Sequence, residues 1–168
     1  METHGLDTNE EVFFYEQEFY CLSNFSAFRV LWRGISFDTA EHAYHYEKFC
    51  SDYGEPISPS AAGMLIDICK ARSAHDAFKI AERNADLVRP DWKRIRVDRM
   101  LGILRAKADQ HEYVRRKLLE TGSRSLIENS WRDDFWGWGP NKDGRNALGK
   151  LWMSVRDELI AASESRNS

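Results

Sequence analysis

The stretch GRNALGKLWMSVRDEL at residues 144–159 contains the clearest structural signal in the chain. Its large apolar residues recur at spacings of three and four, which places them on one face of an α-helix. The members of this apolar stripe are Leu148, Leu151, Trp152, Val155 and Leu159. Arg156 and Asp157 fall on the other side and are expected to face solvent. The pattern therefore predicts a long final helix that packs its apolar stripe into the core.

Five helices are expected upstream, of which the first four begin at a candidate cap residue and the fifth is recognised by its stop. Asp38, Ser58 and Ser73 have side chains that commonly cap helix N-termini, and Pro59 suits a first helical turn. Gly122 is expected to end the last of the five, because glycine readily adopts the left-handed conformation found after helices. The expected helices cover approximately residues 38–49, 58–71, 73–83, 91–108 and 113–120.

Short runs of aromatic and β-branched residues near the N-terminus predict strands at 12–15, 28–32 and 35–37. Arg33-Gly34 is a turn signal between the second and third runs. Strands followed by helices indicate the α+β class, here a mostly helical single domain with a small N-terminal antiparallel sheet. We expect the domain to span residues 1–168, with a core from about 12 to 160 and frayed polar ends, which are the first ten and the last eight residues.

The composition is typical of a globular cytoplasmic protein. The 168 residues are 42% hydrophobic and 30% charged, and no apolar run is long enough to suggest a membrane span. A polar start without a signal-peptide pattern and three widely spaced cysteines both predict the cytoplasm. A net charge of −3 argues against a broad nucleic-acid footprint. Residues 89–117 are nevertheless basic, which indicates either an anion-binding face or a solvated helix surface.

The segment TAEHAYHYEKF (39–49) contains the first candidate site. Glu41, His45 and Lys48 are spaced by four and three residues and therefore share one face of a helix. A carboxylate, an imidazole and an amine on one stripe can act as acid, base and nucleophile. The alternative is structural, with Glu41 in a capping box and Glu41 and His45 as an exposed pair. His42 and His45 do not form an H-E-x-x-H pattern, so no metal site is predicted.

Two further clusters lie later in the chain. RPDW (89–92) places Trp92 at the start of a basic helix, where its ring could stack on a base or anchor the helix in the core. Residues 128–146 combine acids, tryptophans and glycines in a loop, and the amides opening the next helix could hold a phosphate. Neither GxxxxGK[ST] nor GxGxxG occurs, so no nucleotide cofactor is predicted.

The order of these motifs resembles one family, the NADAR family of YbiA-like N-glycosidases. The resemblance covers about residues 12–159 and implies a mostly helical α+β enzyme that hydrolyses the bond between a ribose-type sugar and a base or amine. The implied substrates are phosphoribosylamino-pyrimidine intermediates of riboflavin synthesis and ADP-ribose attached to guanine, including guanine in nucleic acid. The motifs that match are LSNF (22–25), TAEHAYHYEKF (39–49), RPDW (89–92), D-x-x-W-G (133–137) and GRNALGKLWM (144–153).

The resemblance also implies residue roles. Glu41, Trp92 and Asp133 fall on positions essential for glycosidase activity, and Lys48 falls on a lysine implicated in attack at the anomeric carbon. Such an attack needs an unprotonated amine, which burial or a nearby cation favours. The alternative is a non-catalytic ADP-ribose or nucleotide-binding module, which is disfavoured because both carboxylates and the lysine are present. The expected substrate contacts are Asn24, Phe25, Arg33, His42, Arg83, Arg94, Trp136, Gly137 and Asn146, with the three arginines as phosphate ligands.

Overall fold

A computed structural model describes residues 5–14 and 17–166. The chain forms two compact units. One unit is residues 24–110, and the other combines the described residues up to 23 with those from 111 onward. The predicted α+β class, mostly helical with a small antiparallel sheet, is confirmed, and each unit has its own two-stranded sheet.

The 24–110 unit begins with an antiparallel hairpin formed by β2 (Val30–Trp32) and β3 (Ile35–Phe37). The predicted turn between the strands is confirmed, because Arg33 and Gly34 have φ angles of 51° and 76°. Two successive positive φ angles match the twist of a tight hairpin, and glycine adopts the second at little cost. The hairpin leads directly into the first α-helix.

That helix, α1 (Ala40–Glu47), is capped by Thr39 and not by Asp38 as predicted. The Thr39 hydroxyl accepts a hydrogen bond from the His42 amide, whereas Asp38 lies on the surface 3.4 Å from Arg29. Both residue types cap helices well, so composition alone could not separate two neighbouring candidates. Because the true cap lies one residue later, the carboxylate at position 38 is outside the helix.

Three longer helices complete this unit. The predicted caps Ser58 and Ser73 are confirmed, since each hydroxyl accepts an amide hydrogen bond from the residue three positions later. Gly102 lets the last of these helices approach β2 closely, because a Cβ there would lie 2.6 Å from the Trp32 ring. These helices are α2 (Pro59–Lys70), α3 (Ala74–Arg83) and α4 (Trp92–Gln110), and a short 3-10 turn, Ala85–Leu87, lies between α3 and α4.

The second unit contains a strand pairing that the sequence did not reveal. β1 (Glu11–Phe13) pairs in parallel with β4 (Ser125–Ile127), so the first strand does not join the antiparallel sheet. Tyr15, which the prediction included in this strand, lies outside the described residues. A 3-10 helix, Gln17–Leu22, follows β1, and α5 (Glu112–Glu120) ends before Gly122 as predicted.

The last helix, α6 (Ala147–Arg166), confirms the predicted stripe through fully buried Trp152, whose indole N–H donates to the Leu22 carbonyl at 2.8 Å. The prediction for Arg156 was wrong. Its guanidinium is buried and donates to the Thr121 hydroxyl and the Arg124 carbonyl. These bonds satisfy a buried polar side chain. Helical periodicity could not reveal them, because both partners lie outside the helix. The helix continues to Arg166, and fraying of the polar end after residue 160 stays a prediction.

Within the described ranges, no helix is both long and apolar enough to cross a membrane.

Candidate active site

Helix α1 is buried along its whole length and supplies most of the candidate site. It packs against α2, α3, α4 and the β2–β3 hairpin, which together cover its faces. The amide of Glu41 donates to the carbonyl of Asn24 at 3.1 Å, so the loop before the hairpin fixes the start of α1. A helix enclosed in this way holds its polar side chains in fixed positions, because they have few alternative rotamers.

Glu41 and His45 form a buried pair on this helix. The Oε1 atom of Glu41 lies 2.7 Å from the Nε2 atom of His45, and the two residues are 9% and 2% exposed. The alternative of an exposed surface pair is therefore wrong. The Nδ1 atom of His45 is also buried and has no hydrogen-bond partner among the described residues.

Burial lowers the pKa of His45 below its ordinary value of 6.5, against the opposing effect of the Glu41 carboxylate. The positive charge of Lys48 lowers the pKa of His45 further. The imidazole is therefore neutral at neutral pH. The neutral ring therefore donates its Nε2 proton to the Glu41 side-chain oxygen and keeps a lone pair on Nδ1.

Lys48 ends the helix, as its amide donates to the His45 carbonyl at 3.2 Å. Its own carbonyl accepts a hydrogen bond from the Arg89 amide at 2.8 Å, which ties the RPDW segment to the end of α1. The Lys48 ammonium lies 5.1 Å from the centre of the Tyr44 ring and 6.0 Å from the centre of the Trp92 ring. Two aromatic faces therefore orient the lysine head group.

Trp92 is the first residue of α4 and is 8% exposed. Its ring centre lies 5.1 Å from that of Tyr44 at an interplanar angle of 56°, a tilted packing typical of aromatic pairs in cores. This burial favours the anchoring alternative for Trp92 over an open stacking platform. The ring forms part of the wall beside Lys48, so its packing also positions the lysine.

Tyr44 lies beside three of the candidate site residues, and sequence reasoning missed it. It contacts Trp92, lies beneath the Lys48 ammonium, and its ring centre is 5.2 Å from that of His45. The available signal was its position four residues before Lys48, the same spacing that linked Glu41 to His45. An aromatic residue in a helix is usually core, so this spacing alone does not mark Tyr44, which here belongs to both core and site.

Three predicted substrate contacts of this unit have structural partners. Both ring nitrogens of His42 are engaged, by the Thr39 hydroxyl at 2.8 Å and the Ala71 carbonyl at 3.1 Å. The guanidinium of Arg33 pairs with the buried Glu47 carboxylate, and the Asn24 amide donates to the sulfur of Met100 at 3.3 Å. These three side chains brace α1 and the hairpin, and their roles as substrate contacts stay predictions.

The remaining predicted contacts of this unit lie at its surface. Phe25 is exposed, and so is Arg83 at the end of α3. Arg94 is exposed and pairs with Asp91 at 3.1 Å. An exposed ion pair of this kind contributes little to stability, so Arg94 can exchange Asp91 for another anion at small cost. The assignment of Arg83 and Arg94 as phosphate ligands stays a prediction.

Asp133 belongs to the other unit, in the loop that precedes α6. Its Oδ1 atom accepts hydrogen bonds from the amides of Phe135 and Trp136, both at 2.8 Å. These two donors hold the carboxylate in one orientation. Gly137 is required beside it, because a Cβ at this position would lie 2.8 Å from the Glu128 carbonyl oxygen. Asp133 and Trp136 therefore remain predicted site residues on an ordered turn.

The N-terminus of α6 does not provide the phosphate site that the sequence suggested. The amides of Ala147 and Leu148 already donate to the carbonyls of Phe135 and Trp136, at 3.0 and 3.1 Å. The side chain of Asn146 bridges the Glu128 amide and the Leu126 carbonyl, and its role as a substrate contact stays a prediction. Loop carbonyls therefore accept the two amide hydrogen bonds that a phosphate would otherwise accept.

Metal and thiol chemistry receive no support from the described side chains. No group of three or more His, Cys, Asp or Glu residues is arranged to hold a metal ion in residues 5–14 and 17–166. Burial, followed by the Glu47 charge, raises the pKa of Cys50 to about 12, so this thiol is protonated at neutral pH and is a poor nucleophile.

The NADAR domain family model matches residues 13–160, which is most of the chain. The chain belongs to the NADAR family. This NADAR protein is 34% identical over 150 residues to the N-glycosidase Npun_R5314 of Nostoc punctiforme, with 88% of this chain and 92% of that protein covered. It is 33% identical over 138 residues to the N-glycosidase YbiA of Escherichia coli, with 82% and 79% covered.

Two further comparisons bear on the fold and on the range of relatives. The solved structure of E. coli YbiA matches with a TM-score of 0.78 and 26% identity, covering 94% of this chain and 89% of that one. The riboflavin biosynthesis protein VVA0006 of Vibrio vulnificus is 32% identical over 152 residues, which are 89% of this chain and 39% of that protein. The predicted family and fold class are thus confirmed.

Proposed function

We propose that this NADAR protein is an N-glycosidase that hydrolyses the bond between a ribose-type sugar and a base or amine. The observation that carries the proposal is the buried Glu41–His45 pair on the same short helix as Lys48, whose charge acts on His45. Relatives that share most of the chain are named N-glycosidases. The carboxylate and the amine are groups that cleavage of a glycosidic bond can use.

Cleavage of an N-glycosidic bond builds positive charge on the sugar as the base departs. A fixed carboxylate close to the sugar stabilises that charge more effectively than water does, because it needs no reorganisation during the reaction. Glu41 fits this role, since burial and the bond to His45 hold its side chain in place. Asp133 is our candidate for the acid that protonates the leaving base.

Lys48 is our candidate nucleophile. Its amine forms a bond to the anomeric carbon while the carbon–nitrogen bond to the base breaks, and the base leaves with that electron pair. The base gains one proton and the amine loses one, so the step conserves charge. Opening of the sugar ring then gives an imine, and water releases the sugar and restores the amine. Tyr44 and Trp92 aim the amine during these steps.

We infer that phosphoribosylamino-pyrimidines are the preferred substrate class and ADP-ribosylated guanine the second. The similarity to a riboflavin biosynthesis protein supports the first class. A net charge of −3 also suits a small phosphorylated metabolite better than a long nucleic acid, whose binding depends on neutralising many phosphates. Arg94 and Arg83 are the exposed cations that we propose for the substrate phosphate.

The test is to incubate the purified protein separately with a phosphoribosylamino-pyrimidine and with ADP-ribosylated guanosine, and to quantify released base and sugar by chromatography. We expect turnover of at least one substrate, and faster turnover of the pyrimidine. The Glu41→Gln variant is the matched control for contaminating hydrolase activity. Tight binding of either compound without release of base would overturn the proposal and favour a nucleotide-binding module.

A further inference from the structure

His45 carries out no chemical step of the reaction proposed above, yet its ring is directed at Glu41, which stabilises the sugar cation in that reaction. The imidazole is 2% exposed, and Oε1 of Glu41 is its hydrogen-bond partner through Nε2. Placing an imidazole in such a site requires removing it from water, which is unfavourable unless the bond that it makes compensates. The function of His45 is therefore to be sought in the effect of this hydrogen bond on Glu41.

We propose that His45 is a positioning residue, which fixes the Glu41 carboxylate in a single orientation for the glycosidase reaction. This inference rests on the proposed function of Glu41. A donor to Oε1 restricts rotation of the Glu41 side chain. The second carboxylate oxygen is then presented from a fixed direction, which is what stabilisation of a developing cation requires.

His42 on the same helix provides a comparison, because its ring nitrogens are engaged differently from those of His45. Both of its ring nitrogens have protein partners, the Thr39 hydroxyl and the Ala71 carbonyl, so the ring joins α1 to the end of α2. His45 differs, because its buried Nδ1 has no partner in the described part of the chain. A ring placed only for scaffolding would be expected to satisfy both nitrogens.

The surroundings of His45 keep its ring neutral, and this matters for the charge of the pair. The ring edge packs against aromatic rings on two sides, with Tyr44 at 5.2 Å and Phe78 of α3 at 5.8 Å between centres. Burial and the positive charge of Lys48 both oppose a second proton on the ring. A protonated His45 would cancel the Glu41 charge, whereas the neutral ring preserves a net charge of −1 for the sugar cation.

The test compares two substitutions that differ in reach. Glutamine places its amide near the position of the histidine Nε2 and can still donate to Glu41, whereas asparagine is too short. We expect His45→Asn to lower kcat by about 10-fold to 100-fold, the loss expected for one charge-assisted hydrogen bond, with KM changed by less than about two-fold. His45→Gln should recover most of kcat. His75→Asn, at an exposed histidine of α3, is the control and should match the wild type.

A double variant separates positioning from a general effect on the fold. If His45 acts through Glu41, adding His45→Asn to Glu41→Gln should cause little further loss of the residual activity. The proposal is overturned if His45→Asn retains wild-type kcat, if glutamine is no better than asparagine, or if the two losses multiply. Melting temperatures are measured in parallel, and if His45→Asn does not fold, the comparison of His45→Gln with the wild type decides.

Nitrogen NMR of the wild-type imidazole tests the pairing without any activity. We expect His45 as the neutral tautomer with its proton on Nε2 and a bare Nδ1, at about pH 7. A proton on Nδ1 instead would overturn the positioning role. If the protein turned over neither substrate class, the proposed function would fail, and the tautomer would still decide whether His45 donates to Glu41.

Discussion

Replacing Trp92 by alanine is expected to destabilise the protein strongly, because its ring is core as well as site. Only 8% of the residue is exposed, and its ring packs at 5.1 Å against Tyr44. Truncating a buried tryptophan to alanine costs about 3–5 kcal/mol, of which the aromatic pair contributes roughly 0.5–1.5 kcal/mol. At about 2–4 °C per kcal/mol for a chain of this size, Tm should fall by roughly 6–20 °C.

The assay is urea unfolding followed by circular dichroism, with a thermal melt in parallel. Trp131→Ala is the matched control, since this tryptophan is 61% exposed and its loss should change stability by no more than about 0.5 kcal/mol. Trp92→Phe keeps an aromatic partner for Tyr44 and should fall between the wild type and the alanine variant. A loss below about 1 kcal/mol in Trp92→Ala would refute the reasoning and return Trp92 to a solvent-facing stacking role.

Three further predictions concern single groups. Glu41→Gln and Asp133→Asn should each lower turnover about 10²-fold to 10³-fold with little change in Tm, and near-normal turnover of a folded variant would remove that residue from the mechanism. At about pH 8, iodoacetamide should label exposed Cys69 long before Cys50, whose pKa of about 12 keeps it a thiol, and mass spectrometry reports the order. Because the pKa of His45 is lower in the folded protein than in the unfolded chain, its contribution to stability is present above about pH 6.5 and is lost as pH falls through the folded pKa. The free energy of unfolding should therefore drop more between about pH 7.5 and about pH 5.5 in the wild type than in His45→Gln, and equal slopes would contradict a buried neutral imidazole.

The helical part of this fold was readable from the sequence because its determinants are local. The caps at Ser58 and Ser73, the stop at Gly122 and the buried face around Trp152 all depend on residues a few positions apart. The candidate site on α1 was readable for the same reason, since its groups follow helical spacing. Such local signals can be recognised without any knowledge of the tertiary structure.

Features that depend on distant parts of the chain were not readable. β1 and β4 pair across more than a hundred residues, and three-residue strands have no periodicity to detect. Arg156 looked like a surface residue because its partners, Thr121 and Arg124, lie on another segment. Fully buried Lys107, which donates to the Ser26 hydroxyl at 2.9 Å, is hidden in the same way. Each of these three features depends on hydrogen bonds to a distant segment, which composition does not reveal.

The most direct test of the proposed mechanism is to trap the sugar on Lys48 during turnover. Borohydride added while substrate is being consumed should reduce the proposed imine to a stable adduct, which peptide mass spectrometry maps to Lys48. Lys48→Arg keeps the positive charge but cannot form the imine, so it should give neither adduct nor turnover. An arginine variant with normal turnover, together with no trapped adduct in the wild type, would contradict nucleophilic attack by Lys48 and leave a carboxylate-and-water mechanism in its place.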